Sequence, residues 1–134
     1  QQEDMLQGRI FWHEALWKKY AFDFSWFSKN AHRPDALNCL NEMVNDALRH
    51  VPDCLHYLHL IQNEKVFRFC AIPQVMAMAT LAEVYANPKV FTQNVKIGKG
   101  TGARIITETH NMDSVKIFFE KSLGIIERKL NAQL

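Results

Sequence analysis

The sequence predicts an all-α protein, and two observations lead to that prediction. Turn formers are scarce, because the 134 residues include only five glycines and four prolines, so long stretches lack the residues that end helices. Apolar residues also recur three or four positions apart over long segments, which is the spacing of one helix face. A chain of this length corresponds to one domain or part of one.

The N-terminal half predicts two helices separated by a connection. We expect a helix over Phe11–Ala21 and an aromatic-rich connection over Phe22–Arg33. Pro34 suits the first turn of the next helix, where its missing N–H has no partner to lose. Pro52 lies inside the pattern of that helix and predicts a kink or a restart. The apolar face comprises Leu37, Leu40, Val44, Leu48, Val51, Leu55 and Leu58.

The segment Phe67–Tyr85 predicts a helix that is apolar on nearly every face. Such a helix is buried either in a protein or in a membrane. The polar side chains of Arg68, Gln74 and Glu83, together with Pro73, argue against a membrane span. We therefore expect a central helix of a larger bundle, which needs more neighbours than the rest of this chain offers.

The last third predicts a loop and a final helix. Asn87, Pro88 and the stretch KIGKGTG at 96–102 are typical of a loop, and helical spacing returns from Ile105 to the C-terminus. Asn111 is a candidate N-cap for the main part of that helix. The predicted apolar stripe comprises Val115, Phe118, Phe119, Leu123, Ile126 and Leu130.

Composition excludes several classes of function. The formal net charge of +2 is small and the cations are scattered, which argues against nucleic-acid binding. The three cysteines form no CxxC pair, so neither a disulfide framework nor a zinc site is expected, and buried thiols in a reducing compartment fit better. His56 and His59 lack a third nearby ligand, which favours plain helix surface.

Two features leave alternatives open on residue pattern alone. Gln74 is either a core amide that pairs with a carbonyl freed by Pro73 or a polar group that faces a cavity. The stretch 95–102 combines two lysines with three glycines and is either a phosphate-binding lid or a plain surface loop. Glu3 and Asp4, taken alone, indicate only a solvated terminus.

Several strings of this sequence resemble the squalene synthases of the squalene/phytoene synthase family. The most specific is VFRFCAIPQVMAMATL, and LNCLNEMVNDALRHVPD resembles the helix that precedes it in that family. NVKIGKG is similar to the family's VKIRKG, GRIFW to its GRxFWP, and THNM to its TNM segment. The resemblance covers most of the chain apart from Trp17 to Arg33.

The resemblance implies an isoprenoid-synthase-type helical bundle, present only as its C-terminal portion, with residues 1–134 as a single partial domain. It implies condensation of two farnesyl diphosphates to presqualene diphosphate and NADPH-dependent reduction to squalene, with Mg²⁺ assisting departure of diphosphate. It also implies a monomeric enzyme on the cytosolic face of the endoplasmic reticulum membrane, held by a C-terminal anchor absent from this chain.

Residue by residue, the resemblance implies a site on and around the apolar helix. Phe69 matches an aromatic implicated in the second step, and Gln74 lies nearby on the same helix as a second catalytic candidate. Met76 and Tyr57 are candidates for contact with the substrate. Arg9 matches an arginine suited to a diphosphate oxygen.

The cofactor and metal candidates lie outside that helix. Lys96 and Lys99 match basic positions linked to the NADPH and diphosphate region. Glu3 and Asp4 align with the last acids of the family's DxxED motif and are therefore candidate Mg²⁺ ligands. Gly98 replaces an arginine usual in the family, which weakens the prediction of NADPH use.

The sequence leaves three functional hypotheses. The leading one is part of a squalene synthase that is inactive alone, because the first aspartate-rich motif is absent from these residues. The second is a related synthase that releases an unreduced product such as presqualene diphosphate or phytoene. The third is a non-catalytic helical binding module on a dead synthase scaffold.

One further departure from the family concerns structure alone. His13 stands where the family usually has proline, and it bears only on the start of the first helix.

Overall fold

The structure, a computed structural model, describes residues 14–133. Those residues contain no strand, so the all-α prediction is confirmed. Residues 11–13 of the first predicted helix lie outside the described residues. The elements are α1 (Glu14–Trp17), α2 (Trp26–Lys29), α3 (Pro34–Leu48), α4 (Val51–His59), α5 (Glu64–Val84), a 3-10 helix (Pro88–Phe91), α6 (Lys99–Glu108) and α7 (Met112–Gln133).

The chain divides into two compact units, and the first contains residues 14–46 and 84–95. The segment predicted to be a connection contributes three buried residues to its core, Phe24, Phe27 and Ala31, so that prediction was incomplete. Phe24 and Phe27 are buried, and the Phe27 ring stacks on Phe91 with centroids 5.4 Å apart. Burial of large aromatic surfaces gives this segment a fixed structure although its helix, α2, has a single turn.

A hydrogen-bonded cluster joins the end of the α1 segment to α3 within this unit. The Tyr20 hydroxyl donates to Glu42 Oε2 at 2.6 Å, and Lys19 Nζ lies 2.8 Å from Glu42 Oε1. The hydrogen bond to Glu42, together with burial, raises the pKa of Tyr20 to about 12. The neutral phenol is therefore the form that the fold favours.

The Tyr20 pKa predicts how this cluster responds to alkaline pH. A raised pKa in the folded state means that the contribution of Tyr20 to stability is complete below about pH 10 and is lost as the pH rises through about 12. Subtracting the tyrosinate absorbance titration of Tyr20→Phe from that of the unmodified protein is expected to leave one transition with a midpoint of about 12. A midpoint at the ordinary value of about 10 would show that the hydrogen bond to Glu42 does not persist in solution.

The C-terminal end of α5 also depends on a side chain from α3. Ala86 has a positive φ of 54°, a conformation that costs a residue with a Cβ about 1–2 kcal/mol. Its N–H donates to Asn41 Oδ1 at 2.8 Å, and Asn41 is buried. Asn41 is a polar residue outside the predicted apolar stripe of this helix, and the structure uses it as a buried partner for this turn.

The second unit contains residues 47–83 and 96–133. The predicted restart at Pro52 is confirmed, because α3 ends at Leu48 and α4 begins at Val51 with proline in its first turn.

The three cysteines differ in burial. Cys39 in the first unit is buried and its thiol pKa is raised to about 12 by burial, whereas Cys54 and Cys70 in the second unit are half-buried. All three thiols are free.

The glycine-rich stretch departs from prediction because helix α6 begins at Lys99 and includes Gly100 and Gly102. Glycine lowers helix propensity by about 1 kcal/mol per residue. Two contacts offset that cost. Ile105 is 0% exposed, and the Arg68 guanidinium donates to the Ile106 and Thr109 carbonyls at the C-terminal end of the helix. The predicted helix from Ile105 onward is two helices, α6 and α7.

Asn111 starts α7 as predicted. Its Oδ1 accepts a hydrogen bond from the Ser114 N–H at 3.0 Å, and Ser114 Oγ accepts one from the Asn111 N–H at 3.1 Å. This reciprocal pair is a capping box. The predicted α7 stripe is only partly right: Val115, Phe119 and Ile126 are buried, whereas Leu123 and Leu130 are exposed.

Candidate functional site

Helix α5 has a buried stripe and an apolar face that the described residues leave uncovered. The buried stripe repeats every three or four positions and comprises Phe67, Ala71, Val75, Met78 and Ala82. On another face, Phe69 is 81% exposed and Val66 is 49% exposed. Pro73 and Ala77 continue that face four and eight positions after Phe69. The described residues cover α5 on fewer sides than a central helix of a bundle requires. This agrees with the expectation that α5 needs further neighbours.

Length and composition alone would allow α5 to span a membrane. Among the described residues it is the one helix that meets that test. A regular buried stripe on one side is also what a core helix of a helical bundle shows.

A cleft of about 460 Å³ lies beside the uncovered face of α5. Its lining is almost wholly apolar: Ala47, Val51, Cys54, Gln74, Ala77, Met78, Thr80, Leu81 and Phe119. Gln74 Oε1 is fully buried and has no hydrogen-bond partner among the described residues. Since a buried acceptor without a donor costs about 1–3 kcal/mol, this arrangement favours the cavity-facing interpretation of Gln74.

The two other candidates for substrate contact lie on α5 and α4. Met76 is half-buried on α5, and its carbonyl oxygen accepts a hydrogen bond from Thr80 Oγ1 at 2.8 Å. Tyr57 is on α4 and is 56% exposed. The cleft takes Val51 and Cys54 from α4, not Tyr57. Phe69, Met76 and Gln74 thus lie on one helix, and Tyr57 lies on the preceding one.

The two candidate cofactor lysines lie at the start of α6. Lys96 and Lys99 are both exposed, and Lys99 is the first residue of the helix. Gly98 is the N-cap with φ −63° and ψ 153°, values that any residue can adopt. A Cβ built at Gly98 would meet nothing within 4 Å. The backbone therefore does not require glycine at this position. Relative to the arginine usual in the family that the sequence resembles, Gly98 lacks a side-chain charge.

The family model described as squalene/phytoene synthase matches residues 2–101. The chain belongs to the squalene/phytoene synthase family. Squalene synthase of Candida albicans is 46% identical over 130 residues, which cover 95% of this chain and 29% of that protein. Squalene synthase of Homo sapiens is 45% identical over 114 residues, covering 85% of this chain and 27% of that protein.

The fold of this family member also matches a solved structure. The structure described as the complex of TcSQS with the ligand BPH1237 superposes with a TM-score of 0.93 at 38% identity. The superposition covers 99% of this chain and 40% of that chain. The predicted isoprenoid-synthase-type bundle is thereby confirmed, and the chain spans less than a third of the length of the curated relatives it matches.

The candidate metal ligands of the family motif lie beyond what the structure describes. Glu3, Asp4 and Arg9 all fall outside residues 14–133. Within that range, no group of three or more His, Cys, Asp or Glu side chains could hold a metal ion. His56 and His59 are exposed on α4, in agreement with the helix-surface interpretation.

Sequence reasoning missed Arg68, which it treated only as an interruption of an apolar helix. Arg68 Nε donates to the Thr109 carbonyl at 3.2 Å, and Nη2 donates to the Ile106 carbonyl at 2.8 Å. These are carbonyls at the C-terminal end of α6, where a cation also faces the negative end of the helix dipole. A strongly polar residue inside an otherwise apolar helix was the signal available in the sequence.

Proposed function

We propose that this chain is the C-terminal part of the catalytic bundle of a squalene synthase. The enzyme would condense two farnesyl diphosphates and reduce the presqualene diphosphate intermediate to squalene with NADPH. The observation that carries the proposal is the uncovered apolar face of α5 around Phe69, in a chain whose relatives named as squalene synthases are more than three times as long.

The uncovered face suits a hydrocarbon substrate. Two farnesyl chains present a large apolar surface, and burying it contributes about 25 cal/mol per Å². Val66, Phe69 and Ala77 offer such a surface, and the adjoining cleft extends it between α5 and the start of α4. In this proposal the remaining length of the enzyme encloses these side chains and keeps water from a reactive intermediate.

Two groups on α5 suit a carbocation. The ring of Phe69 offers a π face, whose attraction for a cation reaches about 2 kcal/mol when desolvated. Gln74 Oε1 is a buried dipole with its acceptor capacity unused, so it needs no reorganisation to stabilise positive charge. Pro73 lacks the N–H that would pair with the Phe69 carbonyl, which leaves another partial negative charge on this face.

The start of α6 suits the phosphates of the cofactor. Lys96 and Lys99 contribute two ammonium groups, and the first N–H groups of a helix have no intrahelical acceptors. NADPH supplies hydride when bound, and these lysines would hold its phosphates. For Mg²⁺, the candidate ligands Glu3 and Asp4 lie outside the described residues, so no step through the metal is derived. Attachment to the endoplasmic reticulum membrane, with the enzyme acting as a monomer, belongs to the same proposal.

One observation favours a second function, a synthase that releases presqualene diphosphate or phytoene without reduction. Gly98 carries no side chain where the family usually has arginine, and the backbone has room for one. The loss of a cation next to Lys99 would weaken the hold on a phosphorylated cofactor. Lys96 and Lys99 remain, which is why the reductive reaction is the leading proposal.

The test is product analysis of the full-length enzyme with farnesyl diphosphate and Mg²⁺, with and without NADPH. We expect squalene only when NADPH is present, and presqualene diphosphate without it. The isolated 134-residue chain is expected to make neither product. Release of the same unreduced product under both conditions would favour the second function, and no product from the full-length enzyme would reject both.

A further inference from the structure

We propose that Arg68 is a positioning residue that fixes the lysine-bearing helix α6 relative to α5. This inference rests on the proposed function, because it concerns the NADPH-binding role assigned there to Lys96 and Lys99. Arg68 itself lies at the opposite end of α6 from those lysines. It would act on the cofactor through the helix and not by contact.

The Arg68 guanidinium forms its hydrogen bonds at the C-terminal end of α6. One guanidinium satisfies two carbonyls, that of Ile106 in the last turn at 2.8 Å and that of the C-cap residue Thr109 at 3.2 Å. Thr109 is 0% exposed, so its carbonyl has little access to water once Arg68 is removed. An unpaired buried carbonyl is costly, which makes this contact a strong constraint on where α6 ends.

Helix α6 depends on such a constraint because it is intrinsically weak. It has ten residues, and its first turn contains Gly100 and Gly102. Isolated helices shorter than about 12–15 residues are marginal in water. At a rise of 1.5 Å per residue, its ends are about 15 Å apart, so a change of direction at the C-terminal end displaces Lys99 at the other end.

The same unit contains a matched contact that serves as the control. Lys129 Nζ donates to the carbonyls of Ala82 at 2.8 Å and Glu83 at 3.1 Å. It is thus a cation at the C-terminal end of α5, as Arg68 is at the end of α6. Lys129 is half-buried, and this burial lowers the pKa of its ammonium group. Loss of Lys129 should destabilise the protein without altering α6.

The experiment compares Arg68→Met with Lys129→Met in the full-length enzyme. We expect both variants to lower the melting temperature, and only Arg68→Met to raise the KM and Kd for NADPH, by roughly tenfold, which corresponds to the loss of one charged contact. The rate of presqualene diphosphate formation, measured without NADPH, should change less than twofold. Amide hydrogen exchange over residues 99–108 should be faster in Arg68→Met alone.

Arg68→Lys keeps the charge and should restore most of the NADPH affinity, and it also serves if Arg68→Met does not fold. An equal rise of the NADPH KM in Arg68→Met and Lys129→Met would overturn the inference, because it would indicate general destabilisation. An unchanged NADPH Kd in Arg68→Met with faster exchange in α6 would overturn it too. The proposed function would survive both results, since it fails only if the unmodified enzyme makes no squalene. The NADPH Kd, measured by NADPH fluorescence, tests the inference even if the unmodified enzyme makes no squalene.

Discussion

Replacing Phe69 with leucine is expected to lower the rate of squalene formation from presqualene diphosphate by roughly 30-fold, the equivalent of a cation–π interaction of about 2 kcal/mol. Leucine keeps an apolar side chain on the uncovered face but removes the π face. Phe69→Trp restores that face and is expected to retain most of the rate. The measurement is single-turnover conversion of presqualene diphosphate in the presence of NADPH, with condensation of farnesyl diphosphate measured separately.

Phe67 supplies the control for this experiment, because it lies two positions away on the buried stripe. Phe67 is 5% exposed, whereas Phe69 is 81% exposed. Phe67→Leu should therefore lower the free energy of unfolding by about 1 kcal/mol with a small effect on the second step. If Phe69→Leu and Phe67→Leu reduced the second step equally, or if Phe69→Trp were as slow as Phe69→Leu, the π face of Phe69 would have no special role.

The fold was predictable where apolar periodicity and end signals agreed. Pro34, Pro52 and Asn111 mark helix starts that the structure contains, because each acts through local backbone chemistry. The errors come from tertiary effects. No periodic pattern marks Phe27, yet it is buried among aromatic rings. The glycines of α6 predict a loop, yet burial of Ile105 and the Arg68 contact hold them in a helix.

The candidate site was predictable to different depths. Because α5 is apolar on nearly every face, the sequence predicted that it packs against more neighbours than this chain offers. The uncovered face of that helix agrees with this prediction. The composition of α5 could not say which face is buried, because its apolar residues surround the whole helix. Nor could it show that Gln74 Oε1 lacks a donor or that Arg68 reaches Thr109, since both depend on residues distant in sequence.

Replacing Gln74 with methionine is expected to raise stability and lower activity in the same variant. Methionine has a similar length without the buried acceptor, so the free energy of unfolding should rise by about 1 kcal/mol. The carbonyl dipole that faces the cleft is lost at the same time, and the second step should slow by roughly tenfold, or about 1.4 kcal/mol. A gain of stability with a loss of function is typical of polar groups kept for activity.

Chemical denaturation and single-turnover kinetics on the same preparation test both halves of this prediction. Gln93→Met is the control, because Gln93 is exposed and its amide is already hydrated; its effect on stability should stay within about 0.5 kcal/mol. A Gln74→Met variant that is less stable than the unmodified enzyme would mean that the amide has a partner in the full-length enzyme. Unaltered kinetics with increased stability would instead assign Gln74 no part in the reaction, because the cleft would then tolerate a purely apolar wall.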